Sequence, residues 1–176
     1  MHIPKQNGFS LVEMLVAVTI LVLGIAGPMK IAANGLHSSF YSRDRIIATY
    51  LAQEAIEYIR YARDVAGLTD ISGTPTNWDA FIDSSCANNK CSVDPWQVDP
   101  SGSAIKNCTS GGNTCYLSLD ENTGHYVVSS SGKFQREVYA KKTGDEIVIT
   151  AIITWEDQGT KTLTLTDRIH NWQIAD

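Results

Sequence analysis

The chain begins with a short polar segment that is followed by a long apolar run. Residues 1–8 are polar, and residues 9–29 are almost wholly apolar. About 20 apolar residues suffice to cross a bilayer as a helix. One carboxylate, Glu13, lies inside the run. Since an acid within a membrane span costs roughly 2.5–3.5 kcal/mol on insertion scales, Glu13 is a candidate functional residue.

A second helical pattern follows the apolar run. Gly24, Gly27 and Pro28 predict a weak point or kink, because proline removes a backbone donor. Residues 30–67 then form an amphipathic second half of the same helix, which we expect to end with Gly67 as its cap. Its apolar face carries Ile47, Leu51, Tyr58, Ile59, Ala62 and Val65, and its polar face carries Gln53, Glu54, Glu57, Arg60 and Arg63. Glu57 and Arg60 are spaced for a weak surface ion pair.

The sequence predicts that residues 68–176 form a head with two parts. Residues 68–114 are rich in Gly, Pro, Ser, Asn and Asp, which predicts loop. Its aromatic residues Trp78, Phe81 and Trp96 either anchor the loop on the core or include a partner contact. Residues 115–176 predict an antiparallel sheet with strands at Cys115–Leu119, His125–Ser129, Phe134–Lys141, Glu146–Glu156 and Thr160–Trp172. The helix covers the apolar face of this sheet, which gives an α+β fold.

Composition and charge narrow the range of possible functions. The 176 residues fit one domain plus its anchor, and the net charge of −5 does not favour a nucleic-acid partner. The sequence contains no Gly-x-Ser-x-Gly, no phosphate-binding glycine loop and no calcium loop of the Asp-x-Asp-x-Asp-Gly type. We therefore expect no enzyme activity, no cofactor and no metal site.

Four cysteines all follow the helix: Cys86, Cys91, Cys108 and Cys115. An even number outside the membrane indicates two disulfides, for which three pairings exist. The local pairs Cys86–Cys91 and Cys108–Cys115 are slightly favoured. Zinc binding and free thiols are the alternatives, although the two-residue gap that is usual between paired zinc ligands is missing.

The small residue that could mark a cleavage site is Gly8, and it precedes the apolar run. A secretory signal would instead have a shorter apolar core, followed by an Ala-x-Ala-like site. Cleavage after Gly8 would keep the apolar helix and expose a new amine on Phe9. That amine would lie four residues, or about one helical turn, from Glu13.

The hexamer Gly8-Phe9-Ser10-Leu11-Val12-Glu13 resembles the leader and N-terminal motif of type IV pilins and type II secretion pseudopilins. The resemblance implies that a prepilin peptidase cuts after Gly8 and methylates Phe9, and that Glu13 meets the N-terminus of a neighbouring subunit in a filament. It implies a lollipop-like fold, with an anchor in the inner membrane and a head outside the cytoplasm. Its implied partners are other pilin or pseudopilin subunits, the peptidase and an inner-membrane assembly platform. The final location would be an extracellular or periplasmic filament.

Residues 48–60 also resemble the helix of PilV-like minor pilins and of the type II secretion minor pseudopilin I. An ordinary amphipathic helix on a sheet would show the same apolar face. Three functions therefore remain open. The first is a minor subunit of a type IV pilus or related filament, and the second is a minor pseudopilin of type II secretion. The third is a membrane-anchored module with an adhesive or DNA-capturing head.

Overall fold

A computed structural model of the chain describes residues 8, 10–69, 86, 90–96, 104–108 and 115–170. The chain divides into two compact units, Met1–Arg43 and Asp44–Asp176. The helix α1 spans Leu11–Thr69 and continues through Pro28. It extends two residues past Gly67, the predicted cap, so that prediction was wrong. Helix ends fray, and boundaries of this kind shift by one or two residues.

All the strands that the structure describes form one antiparallel sheet. They are β1 (Cys91–Val93), β2 (Ile105–Asn107), β3 (Tyr116–Leu119), β4 (Tyr126–Ser129), β5 (Phe134–Thr143), β6 (Glu146–Glu156) and β7 (Thr160–His170). The predicted class, a long helix and an antiparallel sheet in an α+β fold, is confirmed. The predicted bounds of β6 match the structure, and those of β3, β4 and β5 differ by one or two residues. The end of the last predicted strand lies outside the described residues.

Two strands occur where the composition predicts only loop. β1 and β2 pair with each other, and Cys91 of β1 pairs with Val138 of β5. Both strands have only three residues, which is too short for an alternating pattern to be recognised. The two strands pair with each other, and β1 also pairs with the long strand β5. This pairing supplies their backbone hydrogen bonds and cannot be predicted from their local sequence.

β5 is the central strand of the sheet. One of its edges pairs with β6 over the whole length of β5. Its other edge pairs with β3 near Phe134 and with β1 at Val138. β5 therefore joins the regular hairpin of β6 and β7 to the less regular β1–β4 region.

The core lies between one face of the sheet and the part of α1 that belongs to the unit Asp44–Asp176. Burial alternates along β5 and β6, as the pattern of a sheet covered on one face requires. The buried apolar helix residues are Ala48, Leu51, Ala52, Ala55, Ile56 and Ile59, and the sheet contributes Phe134, Val138, Ile147, Ile149, Ile153 and Trp155, among others.

Two positions in the head require glycine, one because of its backbone conformation and the other because of its close neighbours. Gly159 closes the hairpin turn between β6 and β7 with φ of 109°, which is unfavourable for residues with a side chain. At Gly132, a β-carbon would overlap the backbone carbonyl of Leu117. The loop before β5 therefore lies directly against β3.

Candidate functional site

The N-terminus of α1 is capped by a side chain. The hydroxyl of Ser10 accepts the backbone N–H of Glu13 at 3.2 Å, and the carbonyl of Ser10 accepts the N–H of Met14 at 3.2 Å. Ser10 and Glu13 have the Ser-x-x-Glu spacing of a capping box. The predictions above missed this role of Ser10, although that spacing could have revealed it.

Glu13 lies in the first turn of α1 and is exposed. An acidic residue at this position is stabilised by the positive end of the helix dipole. Gly8 is exposed as well, two residues before the cap. Phe9, the predicted methylation position, lies outside the described residues. The roles of Gly8, Phe9 and Glu13 in processing and assembly stay predictions.

The first part of α1 has an exposed apolar surface. Its large apolar side chains are exposed on all sides, with Leu11 at 81% and Ile31 at 74%. By length and composition, α1 contains a segment that is apolar enough to cross a membrane. A surface of this extent on one chain indicates a membrane or a protein interface.

The four cysteines form two disulfides in the structure. Cys86 is joined to Cys91, and Cys108 is joined to Cys115, which is the local pairing. The first disulfide holds β1 at its start, and the second links the end of β2 to the start of β3. The region that contains β1 and β2 thus has one disulfide at its start and one at its end. In the described part of the chain, no cluster of three or more His, Cys, Asp or Glu could hold a metal ion.

A buried arginine connects three elements of the head. Arg136 of β5 is fully buried, and its guanidinium donates to the carbonyl of Leu51 at 2.9 Å and to the carboxylate of Glu54 at 2.6 Å. It also donates to the carbonyl of Val93 in β1. Burial lowers the pKa of Arg136, and the charge of Glu54 opposes this shift. Its partners come from α1 and β1, so Arg136 fixes both elements to the sheet.

Two residues of the predicted polar face of the helix, Glu54 and Arg60, also bind residues of the sheet. Glu54 pairs with Arg136, and Arg60 pairs with Asp167 of β7 at 2.9 Å. Arg60 also forms the predicted pair with Glu57, at 2.8 Å.

Of the three aromatic residues singled out in the predicted loop, the structure describes Trp96. Its indole N–H donates to Glu54 at 3.0 Å, and its ring stacks on His125 with centroids 3.7 Å apart. It nevertheless remains 53% exposed. Trp96 therefore anchors its segment, as the first interpretation predicts, and the partner contact stays a prediction. Trp78 and Phe81 lie outside the described residues.

Comparison with known proteins identifies a family motif at the N-terminus. Residues 3–27 match the family model of the prokaryotic N-terminal methylation motif. This range includes Gly8, Phe9, Glu13 and most of the exposed apolar surface. The chain therefore carries the signal found in type IV pilins and pseudopilins.

This signal implies processing by a prepilin peptidase and assembly with other pilin subunits. Together with the apolar helix, it fits a pilin-like protein that is anchored in a membrane. No curated protein and no solved structure matches the chain significantly.

Proposed function

We propose that this protein is a minor structural subunit of a type IV pilus or a related filament. The observation that supports this proposal is the methylation motif at residues 3–27 together with a helix whose apolar side chains are exposed. Proteins with this motif are structural subunits, and the chain acts as the substrate of an enzyme. The resemblance of residues 48–60 to minor pilins supports the minor role.

In this function, the peptidase cuts after Gly8 and methylates the new N-terminus at Phe9. The cap that Ser10 provides for the first turn keeps Glu13 in a helical conformation. A carboxylate in an apolar medium needs a cation with good geometry. Packing of neighbouring helices with a stagger brings the amine of one subunit to Glu13 of the next, so that Glu13 sets the register of assembly.

The head would lie outside the cytoplasm, first at the inner membrane and then in the filament. Two disulfides support this location, since disulfides persist in oxidising compartments. The assembly platform of the inner membrane would extract the subunit and add it to the filament. The cysteines and the N-terminal signal thus point to the same side of the membrane.

Processing can be tested at the cleavage site. Gly8→Leu should leave the eight-residue leader attached, because the peptidase needs a small residue before the bond. The control is Gly35→Leu, since a β-carbon at Gly35 meets no atom within 4 Å. Mass spectrometry of the purified chains gives the N-terminus directly. Cleavage at another bond in the wild type would contradict the leader assignment.

Filament membership needs a separate measurement. Filaments sheared from cells should contain the protein in far smaller amounts than the major subunit. Detection only in the periplasm, together with loss of protein secretion on deletion, would instead identify a secretion pseudopilin. An abundance equal to that of the major subunit would contradict the minor role.

A further inference from the structure

The last strand that the structure describes, β7, lies at an edge of the sheet. It pairs with β6 along all of its 11 residues without a bulge, and among the described strands β6 is its one partner. Alternate backbone N–H and C=O groups of β7 therefore point away from β6. Natural edge strands are usually short, bulged or interrupted by proline or charge, because such groups can pair with another chain. Residues 162–166, in the middle of β7, have none of these protections.

The apolar side chains of β7 that face the helix are incompletely covered. Leu163 and Leu165 lie opposite Ile153 and Ala151 of β6, and these two neighbours are fully buried. Both leucines are only half-buried, since among the described strands they have a neighbour on one side alone. An added strand next to β7 would bury the remaining surface of both leucines.

A cleft lies between β7 and α1 at the same edge. Its volume is about 210 Å³, and an apolar cavity of about 150 Å³ can hold a benzene ring. Ile56 and Leu165 contribute apolar surface to the cleft. Arg60 and Asp167, which also line it, pair with each other at 2.9 Å. The cleft therefore has room for one large apolar side chain of an added strand.

The geometry disfavours a second copy of this chain as the source of that strand. Two β7 strands that pair antiparallel are related by a two-fold axis perpendicular to the sheet. The two copies of α1, whose second part packs on that sheet, would then run in opposite directions. Subunits that this helix anchors in one membrane need helices of the same direction. The choice of a different protein as the partner thus rests on the proposed function.

We propose that the edge of β7 binds an extended segment of another protein, which adds an antiparallel strand to the sheet. Backbone hydrogen bonds supply the affinity, and the cleft selects a leucine or phenylalanine at one position of the segment. On the opposite face, the added side chains lie beside the exposed Thr162, Thr164 and Thr166, where β-branched residues are favourable. The partner segment therefore alternates threonine-like and apolar residues.

The test uses the full chain in a zwitterionic detergent and two fluorescent peptides. One is Lys-Thr-Val-Thr-Leu-Thr-Val-Thr-Lys, and the other has phenylalanine in place of leucine. Fluorescence anisotropy measures binding, and hydrogen exchange measures the protection of the β7 amides. At least one peptide should bind at concentrations up to about 1 mM and slow the exchange of β7. Failure of both peptides to bind would overturn the proposal.

Peptides that are methylated on alternate backbone nitrogens distinguish strand addition from unspecific apolar binding. An added strand directs the N–H groups of every second residue towards β7. Methylation of that set should abolish binding, whereas methylation of the other set should preserve it. Equal binding of the two methylated forms would contradict strand addition.

Gln53→Trp tests the cleft, because Gln53 is an exposed helix residue that lines it. The larger side chain should fill the cleft and weaken peptide binding at least about tenfold. Ile46→Trp is the matched control, since Ile46 is also an exposed residue of this helix and does not line the cleft. It should leave binding unchanged. Wild-type binding by Gln53→Trp would show that the cleft is not part of the site.

Hydrogen exchange without peptide tests the choice of partner. Protection of β7 that rises with protein concentration would show that a second copy occupies the edge, and would overturn that choice. Peptide binding requires neither leader cleavage nor filaments. A failed peptide assay and a failed filament assay are therefore separate outcomes.

Discussion

The two parts of α1 are both rich in apolar residues, but these residues have opposite environments. In the unit Met1–Arg43 the large apolar side chains are exposed, whereas in the unit Asp44–Asp176 those facing the sheet are buried. The second part finds its apolar partner within the same chain. The first part has to find one in a lipid bilayer or in neighbouring subunits. One continuous helix thus serves two different kinds of apolar contact, and each can be disrupted separately.

The largest expected effect is on assembly through the first part. Glu13→Ala should be cleaved and inserted normally, yet enter filaments hundreds of times less well than the wild type. The neighbour's amine would lose its partner, and an unpaired desolvated charge costs roughly 3–5 kcal/mol. The ratio of filament-bound to membrane-bound protein measures this effect. Glu13→Gln should be intermediate, and the thermal unfolding of the head should not change in either variant. Equal incorporation of Glu13→Ala would refute the pairing role.

The second prediction concerns the head alone. Arg136→Met should destabilise it by about 3–5 kcal/mol, because Glu54 and two carbonyl groups lose a buried donor. The control is Arg168→Met, which also removes an arginine with a glutamate partner at 2.8 Å, but from a side chain that is 66% exposed. That change should cost only about 0–1 kcal/mol. Denaturant unfolding measures both, and similar losses would show that Arg136 does not hold the head together.

Two leucines of the same helix test the comparison directly. Leu51 is 5% exposed and packs in the head, while Leu21 is 62% exposed. Leu51→Ala should destabilise the head by about 2–5 kcal/mol, which includes the cost of the cavity. Leu21→Ala should leave head unfolding unchanged and lower only the incorporation into filaments. Head destabilisation by Leu21→Ala would mean that the two parts of the helix are not separate in function.

The smallest effect comes from the ion pair between Arg60 and Asp167. Burial opposes the ionisation of Asp167, but the hydrogen bond from Arg60, a backbone hydrogen bond from Arg168 and the charges of Arg60 and Arg63 together lower its pKa below the usual 3.8. A lowered pKa in the folded state stabilises the head above the pKa of the unfolded chain. This contribution disappears as the pH falls through the folded-state pKa. Because Arg60 is 41% exposed, solvent screening limits the effect to about 0–1 kcal/mol.

The measurement is head stability between about pH 5 and pH 2. Asp167→Asn should flatten the decline of stability in this range, and Arg60→Met should flatten it to a similar extent. A wild-type slope in either variant would show that another carboxylate is responsible.

The contacts of Arg136 show where prediction from the sequence fails. The alternation of β5 places Arg136 on the same face as Phe134 and Val138, so the pattern alone indicates a buried position. Burial of a charge is acceptable only if partners are present, and these come from Glu54 and Val93. They are 82 and 43 residues away along the chain, so no local pattern connects them.

The contacts of Trp96 could not be predicted for the same reason. Its partners come from α1 and from the residue before β4. The composition of residues 68–114 indicated an aromatic residue in a loop and left its contacts open. The folded chain brings Trp96 to Glu54 and His125, and only this arrangement fixes the position of its ring.

The amino-acid sequence by itself specifies the local features of this protein. The N-terminal methylation motif, the apolar helix and the long strands β5, β6 and β7 depend on neighbouring residues and on regular spacing, so they can be predicted directly from the sequence. β1, β2 and the buried Arg136 depend on pairs of residues that are distant in sequence. These features exist only after the helix and the sheet have packed together, because burial decides which polar groups need a partner and packing decides which partner is within reach.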